Sequence, residues 1–275
     1  MAFSVNTNTG AMAALQSLNQ TNKGLSQVQS RINTGLNVAS TKDDSASFTI
    51  AQSLRGDVGG LSAVNSSLNR GKSTVDVAIA GAEQISDVLN QMKAKAIQAA
   101  DDGLDAESRT AINADYTALK EQITTIIASS EFNGTNVLKD DATSTGKVSA
   151  LQSLDTTSTI GVANQAFDTN VTTALGTGLG TKADADTALT EIATVTATVT
   201  STLSTLGSAS RKIEGQLSFN SKLSDVIESG IGNLVDADLA KESAKLQALQ
   251  VKQQLGVQAL SIANQAPQTI TSLFR

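Results

Sequence analysis

Residues 51–96 read AQSLRGDVGGLSAVNSSLNRGKSTVDVAIAGAEQISDVLNQMKAKA, and the apolar spacing within them decides the fold. Ala51, Leu54, Val58, Leu61, Leu68, Val75, Ile79, Ala82, Leu89 and Ala96 recur in steps of three, four or seven residues, the period of one helix face. Asn65, Lys72, Ser86 and Lys93 interrupt the stripe, and no proline breaks it. A helix of about fifty residues is about 75 Å long, so its apolar stripe needs other long helices alongside.

Working outward, residues 39–46, ASTKDDSA, set Ser40 and Thr41 each three positions before an aspartate. That pattern resembles a capping box and predicts the start of this helix. Gly35 closes an earlier helix whose seam is Ala11, Ala14, Leu18, Leu25, Val28 and Ile32. Downstream, Gly103 is read as a stop and Asp105 as the cap of a third helix carrying Ile112, Tyr116, Leu119, Ile123 and Ile126.

After Phe132 the period is lost. Asn133-Gly134 signals a turn, and residues 135–181, rich in Thr, Ser, Gly and Ala, predict a small β-hairpin or irregular insertion. From Leu189 the seam resumes with Ile192, Val199, Leu203, Leu206, Ile213, Leu217, Ile227 and Ile231, although residues 194–203, TVTATVTSTL, suggest a strand by themselves. At residues 232–238, GNLVDAD, the register slips, which marks a joint.

The closing seam is Leu239, Leu246, Leu249, Leu260, Ala263, Ile270 and Phe274, beside a second stripe of Ala248, Val251, Leu255 and Ile262. Such a segment needs neighbours on two sides, and pairing with the short first helix covers one stripe only. Pro267, the single proline, predicts a kink or stop near residues 264–266. The fold class is mainly α: long antiparallel helices in a coiled-coil bundle with a small β-hairpin or irregular insertion. The predicted domains are residues 1–42 with 233–275, and residues 43–232 including a surface region at about 133–185.

Composition narrows function. The 275 residues contain no cysteine and no histidine, which removes disulfides, thiol chemistry, the usual zinc sites and imidazole catalysis. Neither a catalytic nor a cofactor-binding nor a metal site is expected. A net charge of −6 without clustered basic residues argues against nucleic acid. The first twenty residues lack the pattern of a secretory signal peptide, and no run is apolar enough to span a membrane.

Short motifs reduce to structure. Gly71-Lys72-Ser73 ends like a phosphate loop but has Ser66 where the first glycine is required. The pairs Asp184/Asp186 and Asp236/Asp238 lack the further calcium ligands and read as helix caps. Asp101, Asp102 and Asp105 surround an interhelix turn, and the triplets at Asn133 and Asn170 are read as surface turns.

Against these patterns both ends of the chain resemble bacterial flagellin, in particular the short α-proteobacterial kind. The carriers are VNTNTGAMAALQSLN at 5–19, RINTGLNVASTKDD at 31–44, SSEFNGTNVL at 129–138, NLVDADLAKESAKLQ at 233–247 and the closing QALSIANQAPQTITSLFR. The resemblance implies a filament subunit for swimming, with both chain ends in an inner coiled-coil tube, a surrounding helical shell and a variable middle facing solvent. It assigns Leu18, Leu25, Val28, Ile32, Leu239, Leu246, Leu249, Leu260, Ile270 and Phe274 to the inner tube. Leu54, Leu61, Leu68, Leu89, Leu119, Ile123, Leu203 and Ile227 are assigned to the shell.

The implied partners are further copies of the chain, alone or mixed with other flagellins, together with an export chaperone and the hook-associated junction and cap proteins. The implied route is unfolded export through a type III apparatus without a cleaved signal, ending in the extracellular filament. Gln91 stands where flagellins detected by the vertebrate innate receptor carry an arginine, which predicts poor receptor activation. The nearest alternative is a hook-filament junction adaptor. A central zinc protease, carried by some flagellins, requires the histidines this chain lacks, and a secreted binding module displaying O-linked sugars on the Thr/Ser-rich middle is the more distant reading.

Overall fold

The stripe of residues 51–96 lies in one uninterrupted helix. The computed structural model describes residues 7–140 and 146–273, with side chains through residue 265. The first helix is α1, Thr9–Thr34, and α2, Ser45–Ala99, contains the stripe. They are followed by α3, Ala106–Ser129, then α4, Lys182–Val235, and α5, Leu239–Leu273. Compact packing divides the chain into two units, one from residues up to Gly56 and from Val226 onward, the other Asp57–Asp225.

Local chemistry sets the helix ends. Gly35 adopts φ 73° and its amide donates to the Arg31 carbonyl, the left-handed stop glycine permits at little cost. The cap of α2 lies three residues beyond Thr41, the later of the two expected caps: Asp43 ties up the Ala39 and Ser40 amides, while Asp44 accepts from the Ala46 and Ser47 amides and the Ser47 hydroxyl. Those bonds, the Ser47 hydroxyl first, lower the Asp44 pKa. Asp105 caps α3 by accepting from the Ser108 amide at 2.7 Å.

In the second unit α4 runs antiparallel to α2. Lys72 Nζ lies 2.8 Å from Asp76 and 3.2 Å from Glu214, Ser210 donates to Asp76, and Lys182 at the start of α4 reaches Asp102 beyond the end of α2. Lys95 with Asp115 sets α3 antiparallel to α2. Leu68, Ile85, Leu89, Met92, Ile123, Ile127 and Phe167 are fully buried between these elements. Tyr116 is buried with them, and its hydroxyl has no hydrogen-bond partner among the described residues. Burial, with a contribution from Glu191, pushes its pKa up to about 12.

The helix α4 begins at Lys182, seven residues before the expected Leu189, and carries the Thr-rich stretch without a break. A capping box explains the start: Asp184 accepts from the Thr181 amide and hydroxyl, and the Thr181 hydroxyl accepts from the Asp184 amide. The threonines stay helical because Thr187, Thr190, Thr194, Thr196, Thr198 and Thr200 each donate the hydroxyl to the carbonyl four residues back. Val195 and Val199 meanwhile face the core.

The region read as a small β-hairpin or irregular insertion, with the turn that leads into it, contains two hairpins and a wide helical turn of π type, Asp168–Thr173, among the described residues. In the first hairpin β1, Glu131–Phe132, pairs with β2, Thr135–Asn136, across Asn133 and Gly134 at φ 49° and 78°, a turn that favours asparagine followed by glycine. In the second, β3, Val148–Leu151, pairs antiparallel with β4, Thr159–Val162, and buries Val148, Ala150, Ile160 and Val162. A Cβ on Gly71 would stand 2.9 Å from that of Ala150, so this glycine lets the hairpin seat on α2. The GKS motif is thereby consumed by packing and by the Lys72 ion pairs.

Candidate assembly surface

The first unit is organised by the antiparallel pair α1 and α5. The joint between α4 and α5 is knitted to the end of α1: Asn37 and Val38 donate to the Val235 carbonyl, Ala237 donates to the Gly35 carbonyl, and Leu36 bridges Asp236. From there the pair runs in fixed register. Arg31 faces Glu242, Gly24 faces Leu249, Asn22 accepts from Gln253, Leu18 faces Gly256 and Asn8 faces Ala263. At the two glycines a bulky leucine of the opposite helix lies close: an added Cβ would be 3.5 Å from Leu249 Cδ1 or 3.2 Å from Leu18 Cδ1.

This pairing brings together Leu18, Leu25, Val28, Ile32, Leu246, Leu249 and Leu260, of which Val28 is buried and the rest half-buried. Leu239 is different, exposed on its own first turn. Phe274 lies outside the described residues, and the Ile270 side chain is outside the described side chains. The expected stop before Pro267 does not occur, since α5 continues to Leu273. The proline removes one helix hydrogen bond, and the carbonyl it deprives, that of Ala263, accepts from the Asn8 side chain at 2.7 Å.

The second stripe of α5 has no cover within the chain. Val251 is 55% exposed, Leu255 57% and Ile262 69%, with Ala248 also exposed. On α1, Met12 and Leu15 are likewise exposed. Large apolar side chains lined up along helices in this way mark an interaction face.

The residues assigned to the shell fall in both units. Leu61, Leu68, Leu89 and Ile123 are buried and Leu119 and Leu203 half-buried in the second, while Leu54 and Ile227 are half-buried in the first. Gln91 is exposed in a shallow groove shared with Lys95, Asp115 and Leu119.

Sequence reasoning missed a polar cluster in this pair. Glu242 is 5% exposed, its Oε1 lies 2.6 Å from Lys245 Nζ and 3.6 Å from Arg31, and its Oε2 has no partner among the described residues. The available signal was its position, three residues after Leu239 and four before Leu246, which places a charge in the seam itself. Asn8 was visible only as a residue type suited to capping.

Residues 5–143 match the model of the bacterial flagellin N-terminal helical region, and residues 187–274 match the C-terminal helical region. The chain belongs to the bacterial flagellin family. It is similar to flagellin FljM of Caulobacter vibrioides, at 46% identity over 99% of this chain and 98% of the relative. It is also similar to a flagellin of Brucella melitensis, at 38% identity over 99% of each. The crystal structure of Bacillus cereus flagellin superposes with a TM-score of 0.51 at 25% identity, covering 55% of this chain and 86% of that one.

Flagellin is a structural protein, and as one this chain self-assembles into the helical flagellar filament that propels swimming, outside the cell. No comparison favours the junction-adaptor alternative. Among the described residues no helix is long and apolar enough to cross a membrane.

Proposed function

We propose that, within the filament, residues 1–42 with 233–275 form the inner coiled-coil layer and residues 43–232 the surrounding shell, with residues 133–185 toward solvent. The observation that carries this reading is the contrast between the buried core of the second unit and the bare stripe Val251, Leu255 and Ile262 on α5. A stripe of that kind is covered by neighbouring copies. In the inner layer Leu18, Leu25, Val28, Ile32, Leu246, Leu249 and Leu260 hold the pair together, and Leu239, Ile270 and Phe274 contact adjacent subunits.

Export proceeds unfolded through the flagellar type III apparatus without a cleaved signal, with a chaperone, and growth occurs between junction and cap proteins. Support for the unfolded passage is chemical: the chain has no disulfide to reduce, and its terminal helices leave a stripe uncovered until assembly. Deleting residues 263–275 is the test. The truncated chain is expected to remain a soluble helical monomer by circular dichroism and to yield no filaments on seeding; normal filaments would defeat the inner-layer assignment.

At Gln91 the exposed groove lacks the guanidinium that makes charge-assisted bonds in receptor-detected flagellins. Purified monomer is therefore expected to activate the vertebrate innate receptor poorly, and strong signalling by it would contradict that assignment.

A further inference from the structure

Asn8 holds two helices with one side chain. Its Oδ1 accepts from the Ala11 amide at 3.0 Å and caps α1, while its Nδ2 donates to the Ala263 carbonyl on α5 at 2.7 Å. Ala263 is four residues before Pro267, so its carbonyl is the one that a regular helix would pair with the amide hydrogen proline lacks. The two halves of one carboxamide therefore serve one orphaned donor and one orphaned acceptor on different helices.

From this we infer that Asn8 and Pro267 together form a register lock for the terminal helix pair, resting on the reading of α1 and α5 as the assembling layer. The apolar seams alone do not choose a register uniquely, because a slip of seven residues, about 10 Å, returns a heptad seam to the same face of the pair. A polar group that is satisfied in one alignment only removes that ambiguity, as a seam asparagine does in coiled coils. Here Pro267, the single proline of the chain, sets one acceptor of α5 apart from the rest. A regular helix pairs its interior carbonyls with its own amides, whereas the carbonyl four residues before a proline needs a donor from outside.

The side chain must be asparagine for both tasks. Aspartate would cap α1 equally well but turns an acceptor toward the Ala263 carbonyl. Asn8→Asp thus removes the lock and keeps the cap, and Pro267→Ala restores the missing amide and makes the lock redundant.

Register is read directly by a disulfide, since the chain has no cysteine of its own and a Cβ on Gly10 would lie 4.0 Å from that of Ala263, within disulfide range. The full-length G10C/A263C chain is prepared with Asn8, with N8D and with N8D/P267A. Each is treated with the thiol oxidant diamide, both as soluble chain and as pelleted filaments, and closure is read on non-reducing gels. Closure is expected to be near complete with Asn8, to fall several-fold with N8D and to recover with N8D/P267A. Without the engineered thiols, N8D is expected to raise the critical concentration for seeded polymerisation about tenfold.

Equal closure in all three chains overturns the lock. An N8D defect of the same size with and without Pro267 overturns it too, because Asn8 then acts on α1 alone. Asn8-dependent closure in a chain that forms no filaments leaves the lock standing and removes the inner-layer reading instead.

Discussion

Leu255→Ala separates assembly from folding. The leucine sits on the uncovered stripe of α5, 57% exposed within the chain. The substitution removes about three methylene-sized groups at about 0.8 kcal/mol each. Only the exposed fraction remains to be buried by a neighbour, so the loss on assembly is about 1.4 kcal/mol, or about tenfold in critical concentration. Alanine is also a good helix residue, so the helix itself is not weakened.

The assay is sedimentation of seeded polymerisation at graded protein concentrations, with circular dichroism melting of the unassembled chain as control. The expected result is a critical concentration about ten times higher and a melt lowered by no more than about 1 kcal/mol, the share of Leu255 already buried in the chain. Ile123→Ala provides the contrast: from a fully buried position in the second unit it costs about 2–5 kcal/mol of stability and lowers the melt directly. A Leu255→Ala chain that polymerises at the parent concentration would refute the claim that other subunits cover this stripe.

Two further tests address buried polar groups. Tyr116 is neutral below its raised pKa, so its share of stability is complete below the ordinary value of 10.0 and is lost as pH rises through about 12. The tyrosinate absorbance of the native protein, from this sole tyrosine, should rise near pH 12, and an ordinary titration near 10 would contradict its burial. For the Glu242 cluster, Arg31→Ala should cost about 1–3 kcal/mol of assembly by leaving the buried carboxylate with Lys245 alone, and adding Glu242→Ala should recover part of it. Additive losses in the double mutant would mean that the two residues do not act on each other.

The long helices were legible because their signal is redundant. Ten apolar positions between Ala51 and Ala96 agree on one face, and no single Asn or Lys overturns such a vote. The insertion was legible only as an interruption: Asn133-Gly134 announced its turn, but the pairing of Val148–Leu151 with Thr159–Val162 depends on burial against Gly71, a contact distant in sequence. The Thr-rich stretch of α4 suggests a strand by its β-branching, but the seam from Leu189 carried the helical reading across it, and the hydroxyls turn onto the preceding turn while the valines reach the core.

At the terminal pair, the seam leucines were readable from spacing, but their partners were not. Periodicity states which face is buried, and the register comes from singular residues such as Glu242 and Asn8 that add nothing to a periodic sum. Pro267 shows the limit most plainly. Local chemistry predicts a break, and the helix continues because a side chain near the other end of the chain supplies the donor the deprived carbonyl needs.

That bond joins residues 255 positions apart. Under the unfolded export proposed above, a chain delivered end first cannot form it until nearly all of its length has emerged, so the closing of α1 on α5 would report that delivery is complete. A fragment truncated at either end can fold its local helices but cannot close this contact. A contact that spans nearly the whole described chain thereby serves as a proof of completeness, made before the subunit joins the filament.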